Sequence, residues 1–92
     1  MLTETQIETR LAEGRARRNP IPLLQARAAL IEQADALVQD AVRAGRGFTD
    51  GEDRQVSELL ERAADIQREV AAMQAAFETA ARHAHAVSAR FS

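Results

Sequence analysis

The stretch GRGFTDGE, residues 45–52, contains the stop signal of one helix and the start signal of the next. Gly45 can end a helix because glycine enters the left-handed conformation without a steric penalty. Thr49 and Glu52 have the spacing of a capping box, in which each side chain accepts a hydrogen bond from the backbone amide of the other residue. The stretch therefore predicts a turn over residues 45–49 that joins two helices into a hairpin.

The helix predicted over residues 50–90 carries apolar side chains at alternating intervals of three and four residues. This spacing continues for five heptads, and no glycine or proline interrupts it after Gly51. A sustained 3.5-residue repeat is typical of a coiled coil. We expect this stripe to pack against other helices, and the interface residues that we predict on it are Val56, Leu59, Ile66, Val70, Met73, Phe77 and Val87.

The helix predicted over residues 22–44 has an apolar face that is wider than a two-helix seam requires. Leu30 and Leu37 lie on one stripe, and Ile31 and Val38 lie on the adjacent stripe. One partner helix cannot cover both stripes. These four residues are therefore also predicted interface residues, and the width of the face favours an oligomer or a larger bundle.

A further helix is predicted over residues 3–17, before a break that contains Pro20 and Pro22. We interpret the break as a kink or a short linker, because proline lacks the amide donor that a helix interior needs. At 1.5 Å per residue the last helix is roughly 60 Å long and the second roughly 35 Å, so about four turns of the last helix lack cover. Either the first helix continues in line, with Ile7 and Leu11 opposite the end of the last helix, or residues 76–91 pair with another chain.

These patterns predict one all-α domain over residues 1–92, a long antiparallel hairpin or coiled coil with a kinked N-terminal arm. Apolar residues make up 46% of the 92 residues, but 20 of them are alanine, so a single-chain core would be thin and a homo-oligomer is expected. There is no cysteine, no apolar run long enough to span a bilayer and no basic, apolar start typical of a signal peptide. A cytoplasmic protein without a membrane association is therefore expected.

The net charge of −2 argues against a non-specific nucleic-acid binder, which needs a basic surface. Basic residues nevertheless cluster along the first helix, which suggests solvated side chains or an electrostatic contact to an acidic partner or to nucleic acid. The candidates for that contact are Arg10, Arg15, Arg17 and Arg18. In the turn, Arg46 and Phe48 are candidates for a contact at the tip of the hairpin.

The sequence suggests no catalytic site, no metal site and no cofactor. His83 and His85 are two residues apart, so on a helix they point about 200° away from each other and do not chelate one ion. The carboxylates are scattered over surface positions and have the spacing of ion pairs with arginine. Gly45, Gly47 and Gly51 belong to the predicted turn region and match no phosphate-binding loop. We therefore expect a protein that is not an enzyme.

Residues from about 23 to 75 resemble the N-terminal scaffolding segment, or delta domain, of tailed-bacteriophage major capsid proteins. The resemblance rests on a leucine- and alanine-rich helix, a Gly-Arg-x-(Leu/Phe)-Thr-x-x-Glu turn, and a charged helix with heptad spacing. The matching residues are Leu30, Leu37, Gly45, Arg46, Phe48, Thr49, Glu52, Leu59, Leu60 and Ile66. The resemblance implies a helical element that guides capsid subunits into a procapsid. The sequence departs from that pattern because it stops at Ser92 before any capsid domain, so we expect a stand-alone scaffold, an excised leader or an unrelated hairpin.

Two hypotheses on function follow from these observations. The first is a structural helical assembly protein, most specifically a capsid scaffolding element that works in a bacterial host cell or an assembling phage particle. The second is a small regulator or adaptor, such as an antitoxin-like inhibitor or a chaperone, that binds one protein partner through a helical face. The capped hairpin with its unbroken heptads favours the first, and the wide double stripe of residues 22–44 favours the second.

Overall fold

Three helices make up the fold of the computed structural model, which describes the backbone of residues 2–91 and the side chains of residues 2–84. They are α1 (Glu4–Arg17), α2 (Pro20–Arg43) and α3 (Asp50–Phe91). Residues 2–91 contain no strand, which confirms the all-α class. The molecule measures 67 × 23 × 17 Å along its principal axes, because α3 alone has 42 residues.

α2 and α3 pack side by side as the predicted hairpin, joined by residues 44–49. Gly45 adopts the left-handed conformation with φ 64°, and its amide donates to the Val42 carbonyl at 3.0 Å. On the other side of the turn, the Glu52 amide donates to Thr49 Oγ1 at 3.2 Å, and the Thr49 amide donates to Glu52 Oε1 at 3.1 Å. Both the glycine stop and the capping box are therefore confirmed.

The chain reverses direction between α1 and α2 within two residues. Arg18 adopts the left-handed conformation with φ 51°, and the Asn19 amide donates to the Gly14 carbonyl at 2.9 Å. The Asn19 side chain then accepts a hydrogen bond from the Ile21 amide at 3.0 Å and caps α2. Pro20 is the first residue of α2, a position where no amide donor is needed. The break at the prolines is thus a tight hairpin turn.

Because of this reversal, α1 folds back against α2 and α3. Ile7 and Leu11 are buried in one cluster with Leu23 and Leu30 of α2 and Ile66 of α3. The interpretation in which α1 continues in line with α2, opposite the end of α3, is therefore wrong. The physical reason is the wide apolar face of α2. When α1 packs on this face, it buries apolar area that would otherwise be exposed to water.

Glycine makes this close return possible. Gly14 is buried, and a Cβ atom placed on it would lie 2.0 Å from Leu23 Cδ1 and 2.9 Å from the Asn19 carbonyl oxygen. Any larger residue would push α1 away from the start of α2. The glycine that weakens α1 as an isolated helix is therefore the residue that lets the two helices approach each other.

The three-helix body ends well before α3 does. Every residue from Gln74 to Ala84 is exposed, whereas Val70 is only 1% exposed. We call residues 74–91 of α3 the projection, and at 1.5 Å per residue it is about 27 Å long. The remaining interpretation of the uncovered helix end, in which residues 76–91 pair with another chain, stays a prediction.

Candidate protein-binding surface on α3

The heptad stripe of α3 passes from the core of the body onto the surface of the projection. Ile66 and Val70 are 3% and 1% exposed, Met73 is half-buried, and Phe77 is 77% exposed. The change takes place within two helical turns, because α1 ends and α2 begins at this level, so neither helix covers the stripe beyond it. We call Met73, Phe77, Ala80 and Ala84 the exposed stripe.

Two open grooves flank Phe77 where the projection leaves the body. The larger has a volume of about 730 Å³, with Met73, Ala76 and Ala80 on its apolar wall and Arg15 and Arg18 at its rim. The smaller, of about 530 Å³, lies on the other side of the ring and is lined by Asn19, Pro20 and Glu78 among others. The phenyl ring therefore stands as a ridge between two concave surfaces.

Ion pairs connect both ends of α1 to α3. The Arg62 guanidinium donates to Glu4 at 2.7 Å and to Glu8 at 3.2 Å, and its pKa is raised chiefly by the hydrogen bond with Glu4. At the other end of α1, Arg15 forms a two-pronged contact with Glu69 at 3.0 and 3.1 Å, and that hydrogen bond raises the Arg15 pKa. Such exposed pairs contribute little stability each. They do set the alignment of α1 along α3.

The four arginines predicted as an electrostatic contact do not all face outwards together. Arg15 is engaged with Glu69, and Arg10 donates a hydrogen bond to the Gln25 side chain. Arg17 and Arg18 are exposed at the end of α1, and Arg18 borders both grooves beside Phe77. The structure therefore places Arg15 and Arg18 at the rim of the apolar surface of α3.

The predicted interface residues divide into core and surface. Leu30, Ile66 and Val70 are at most 3% exposed, so the chain itself covers them and leaves no area for a partner. Half-buried positions along the α2–α3 hairpin are Ile31, Leu37, Val38, Val56 and Leu59. Val87 lies outside the residues whose side chains are described. Of the predicted set, Phe77 has the largest described exposure.

A second apolar surface lies along the hairpin, where α2 has no cover from α1. Leu24, Val42 and Leu60 are 38%, 66% and 46% exposed. On α2 the carboxylate of Asp35 follows Ile31 by four residues, so it interrupts the stripe. This surface is broader than the exposed stripe of α3, but it is less continuous.

At the tip of the hairpin, the two predicted contact residues differ. The Arg46 guanidinium donates to both carboxylate oxygens of Glu52, at 2.5 and 3.1 Å, and so is held within the turn. These bonds, together with the Thr49 amide, lower the pKa of Glu52 from 4.5 to about 2. Phe48 is 40% exposed. Phe48 is therefore the residue at the tip that remains available for a contact.

Among the described residues no group of three or more histidine, cysteine or carboxylate side chains could hold a metal ion. Within residues 2–91 no helix combines the length and the hydropathy of a membrane span. Comparison with known proteins found no matching family model, no similar curated protein and no similar solved structure.

Two residues have roles that the sequence did not predict, namely Gly14 and Arg18. The left-handed conformation of Arg18 has no signal in the sequence pattern.

Proposed function

We propose that this protein is a non-enzymatic helical assembly module that associates through the exposed stripe of α3. The observation that carries the proposal is the passage of one heptad stripe from buried Val70 to Phe77, which is 77% exposed. On the exposed stripe Phe77 adjoins half-buried Met73 and the small side chains of Ala80 and Ala84, and burial of such an apolar patch favours binding because it releases ordered water. On the body, α1 and α2 pack against the stripe of α3. A helix from another molecule would pack against the same stripe on the projection.

The packed three-helix body fixes the position of the first residues of the projection. α1 is fixed by the buried Ile7 and Leu11 and by its ion pairs with Arg62 and Glu69 of α3. The projection therefore leaves the body in a defined direction, with Phe77 at its base. Such a fixed geometry reduces the entropy that a partner must overcome on binding.

The most specific version of this proposal is a scaffolding element for phage capsids. It is supported by the resemblance of residues 23–75 to the delta domain and by the turn that carries Gly45, Phe48 and Thr49. In that role the protein would act in the cytoplasm of a bacterial host, and its partners would be a second copy and a capsid subunit. Genes for portal and capsid proteins beside the gene of this chain would support this version.

Sedimentation equilibrium from about 1 µM to about 500 µM tests the assembly proposal. The average mass of the wild-type chain should rise with concentration above the 10.1 kDa of one chain. Phe77→Ala should weaken association at least tenfold, as expected of an aromatic anchor. Phe48→Ala is the matched control, because it removes the same ring from the opposite end of the molecule. A mass of one chain at all concentrations would contradict self-association.

The second apolar surface favours an alternative, an adaptor or inhibitor that binds one protein through the α2–α3 hairpin. Leu24, Val42 and Leu60 on this surface are all more than a third exposed. In this case Leu60→Ser would abolish partner binding and Phe77→Ala would leave it intact. The assembly proposal predicts the opposite pattern. A toxin gene beside the gene of this chain would also favour the adaptor.

A further inference from the structure

We infer that α1 is an autoinhibitory cover, which closes the first part of the α3 stripe and opens while the α2–α3 hairpin stays folded. The inference rests on the proposed function, since it concerns the regulation of that same stripe. With α1 closed, as in the structure, the part of the stripe that a helical partner can reach begins at half-buried Met73. With α1 open, the accessible part also includes Ile66, which is 3% exposed in the closed state.

The surface below α1 and the larger groove beside Phe77 lie on one line along α3. Ile66, Met73 and Ala80 follow each other at intervals of seven residues, so a coiled-coil partner would meet them in succession. Ile66 lies below α1, in an open groove of about 170 Å³ that it lines together with Leu11. Met73 and Ala80 line the larger groove. α1 therefore occupies the first part of a binding surface whose second part is open.

One ion pair separates these two parts. Arg15 and Glu69 line both the groove below α1 and the larger groove. Their two-pronged contact, at 3.0 and 3.1 Å, connects α1 to α3 at the boundary. The Arg15 side chain is 51% exposed and that of Glu69 is 39% exposed, so water and salt compete for both groups. The boundary can therefore open without leaving a buried charge unpaired.

The contacts that hold α1 closed are few. Among the 14 residues of α1, the large buried side chains are Ile7 and Leu11. Nearer the start of the helix, α1 is connected to α3 by the exposed ion pairs of Arg62 with Glu4 and Glu8. The open groove between Leu11 and α3 shows that the two helices are not closely packed there. α1 is thus bound along α3 largely by interactions that water and salt weaken.

The α2–α3 hairpin has apolar contacts that do not depend on α1. Ala34 and Ala41 are 3% and 5% exposed and lie outside the buried cluster that contains the apolar residues of α1. The capping box of Thr49 and Glu52 closes the hairpin at that end. At the opposite end, opening of α1 relieves the left-handed conformation of Arg18, which is strained for a residue with a side chain. α1 therefore has the properties of a segment that opens as a separate unit.

Hydrogen exchange in the full chain at about 5 µM tests whether α1 opens by itself. We expect the amides of residues 8–16 to exchange about tenfold or more faster than those of residues 59–70. Arg62→Gln should accelerate exchange in residues 8–16 by about threefold or more, because it removes two ion pairs with α1. Arg68→Gln is the matched control, because it makes the same charge change on α3 and loses a pair with Asp65 that does not involve α1.

Thiol labelling tests whether the surface below α1 becomes accessible, because the chain has no natural cysteine. Ala29→Cys and Ala34→Cys each replace an alanine of α2 that is 3% exposed. Ala29 belongs to the cluster that contains Ile7 and Leu11, whereas Ala34 does not. In native buffer we expect Ala29→Cys to react about tenfold or more faster than Ala34→Cys, and addition of Arg62→Gln to accelerate the first reaction without changing the second. Circular dichroism checks that each variant is folded.

The outcomes distinguish this inference from the proposed function. Tighter association of Arg62→Gln than of Arg68→Gln in sedimentation equilibrium supports the inference, because an open α1 leaves a longer stripe for pairing. If residues 8–16 and 59–70 exchange at one rate, or if the two cysteine variants react equally fast, α1 opens only when the whole chain unfolds. The inference is then overturned, and assembly through Phe77 stands.

Two further results would contradict the account at different points. If Arg62→Gln opens α1 and associates no more tightly than Arg68→Gln, α1 does not limit assembly, which overturns the inference and leaves the proposed function in place. If the wild-type chain and both variants have the mass of one chain at all concentrations, the proposed self-association is wrong, and α1 then regulates no assembly.

Discussion

The substitution Gly14→Ala has opposite expected effects on the free energy of unfolding through helix propensity and through packing. By propensity alone, alanine in place of glycine within α1 should stabilise the protein by about 1 kcal/mol. In the structure the added methyl group would lie 2.0 Å from Leu23 Cδ1 and 2.9 Å from the Asn19 carbonyl oxygen. Leu23 is fully buried and Asn19 is part of the tight turn, so neither can move freely. Overpacking of this kind costs about 1–3 kcal/mol.

The expected net change is therefore a loss of about 0–2 kcal/mol in the free energy of unfolding, with a central value of about 1 kcal/mol. For that central value, thermal denaturation followed by circular dichroism should show a melting temperature lower by about 4–8 °C, given the size of the domain. Gly51→Ala is the matched control, because it lies in the first turn of α3 with no atom within 4 Å of the added methyl group. The control should be neutral or stabilising. If Gly14→Ala raised the melting temperature as well, α1 would not pack closely against the start of α2.

Three other predictions concern the core, the exposed stripe and the turn. Ile7→Ala should lower the free energy of unfolding by about 2–5 kcal/mol in a urea titration, because Ile7 is fully buried between the helices; an unchanged midpoint would contradict the docking of α1. Phe77→Ala should leave the melting temperature of the dilute chain unchanged within about 2 °C, because its ring is exposed; a large drop would place the ring in the core. Glu52 has its pKa lowered from 4.5 to about 2, so it stabilises the fold above pH 4.5 and loses this effect as the pH falls towards 2; an NMR titration midpoint near 4.5 would contradict the contact with Arg46.

Much of the hairpin could be predicted from local sequence. The stop at Gly45 and the capping box of Thr49 and Glu52 depend on residues within a few positions of each other, so their signal is complete in the sequence. The heptad spacing likewise predicted a long helix, and the structure has one over Asp50–Phe91. These features follow from backbone sterics and periodicity, which do not depend on the rest of the fold.

The path of α1 could not be predicted in the same way. The prolines at the start of α2 are compatible both with a kink and with a full reversal, because in either case they occupy a helix start. The choice depends on Arg18 in a left-handed conformation and on the close contact of Gly14 with Leu23. Both are tertiary effects, in which burial of Ile7 and Leu11 offsets the strain in the turn.

The sequence also did not predict which part of the α3 stripe is buried and which is exposed, because this depends on the tertiary position of α1. Ile66, Val70 and Phe77 occupy equivalent seam positions, and only the location of the α1–α2 turn decides which of them is covered. Once α1 folds back, it covers the first part of the stripe and leaves the second part free. The candidate binding surface is therefore a consequence of the reversal at Arg18 and Asn19.

Hydrogen exchange at two concentrations tests most directly whether the projection is the contact surface. The amides of residues 74–84 should exchange rapidly at about 5 µM and more slowly at about 500 µM, because pairing of the helices suppresses local opening. Exchange in α1 and around Leu60 should not change with concentration. In Phe77→Ala the slowing at residues 74–84 should disappear. If exchange slowed instead along the α2–α3 surface around Val42 and Leu60, or at no segment, the central claim would be contradicted.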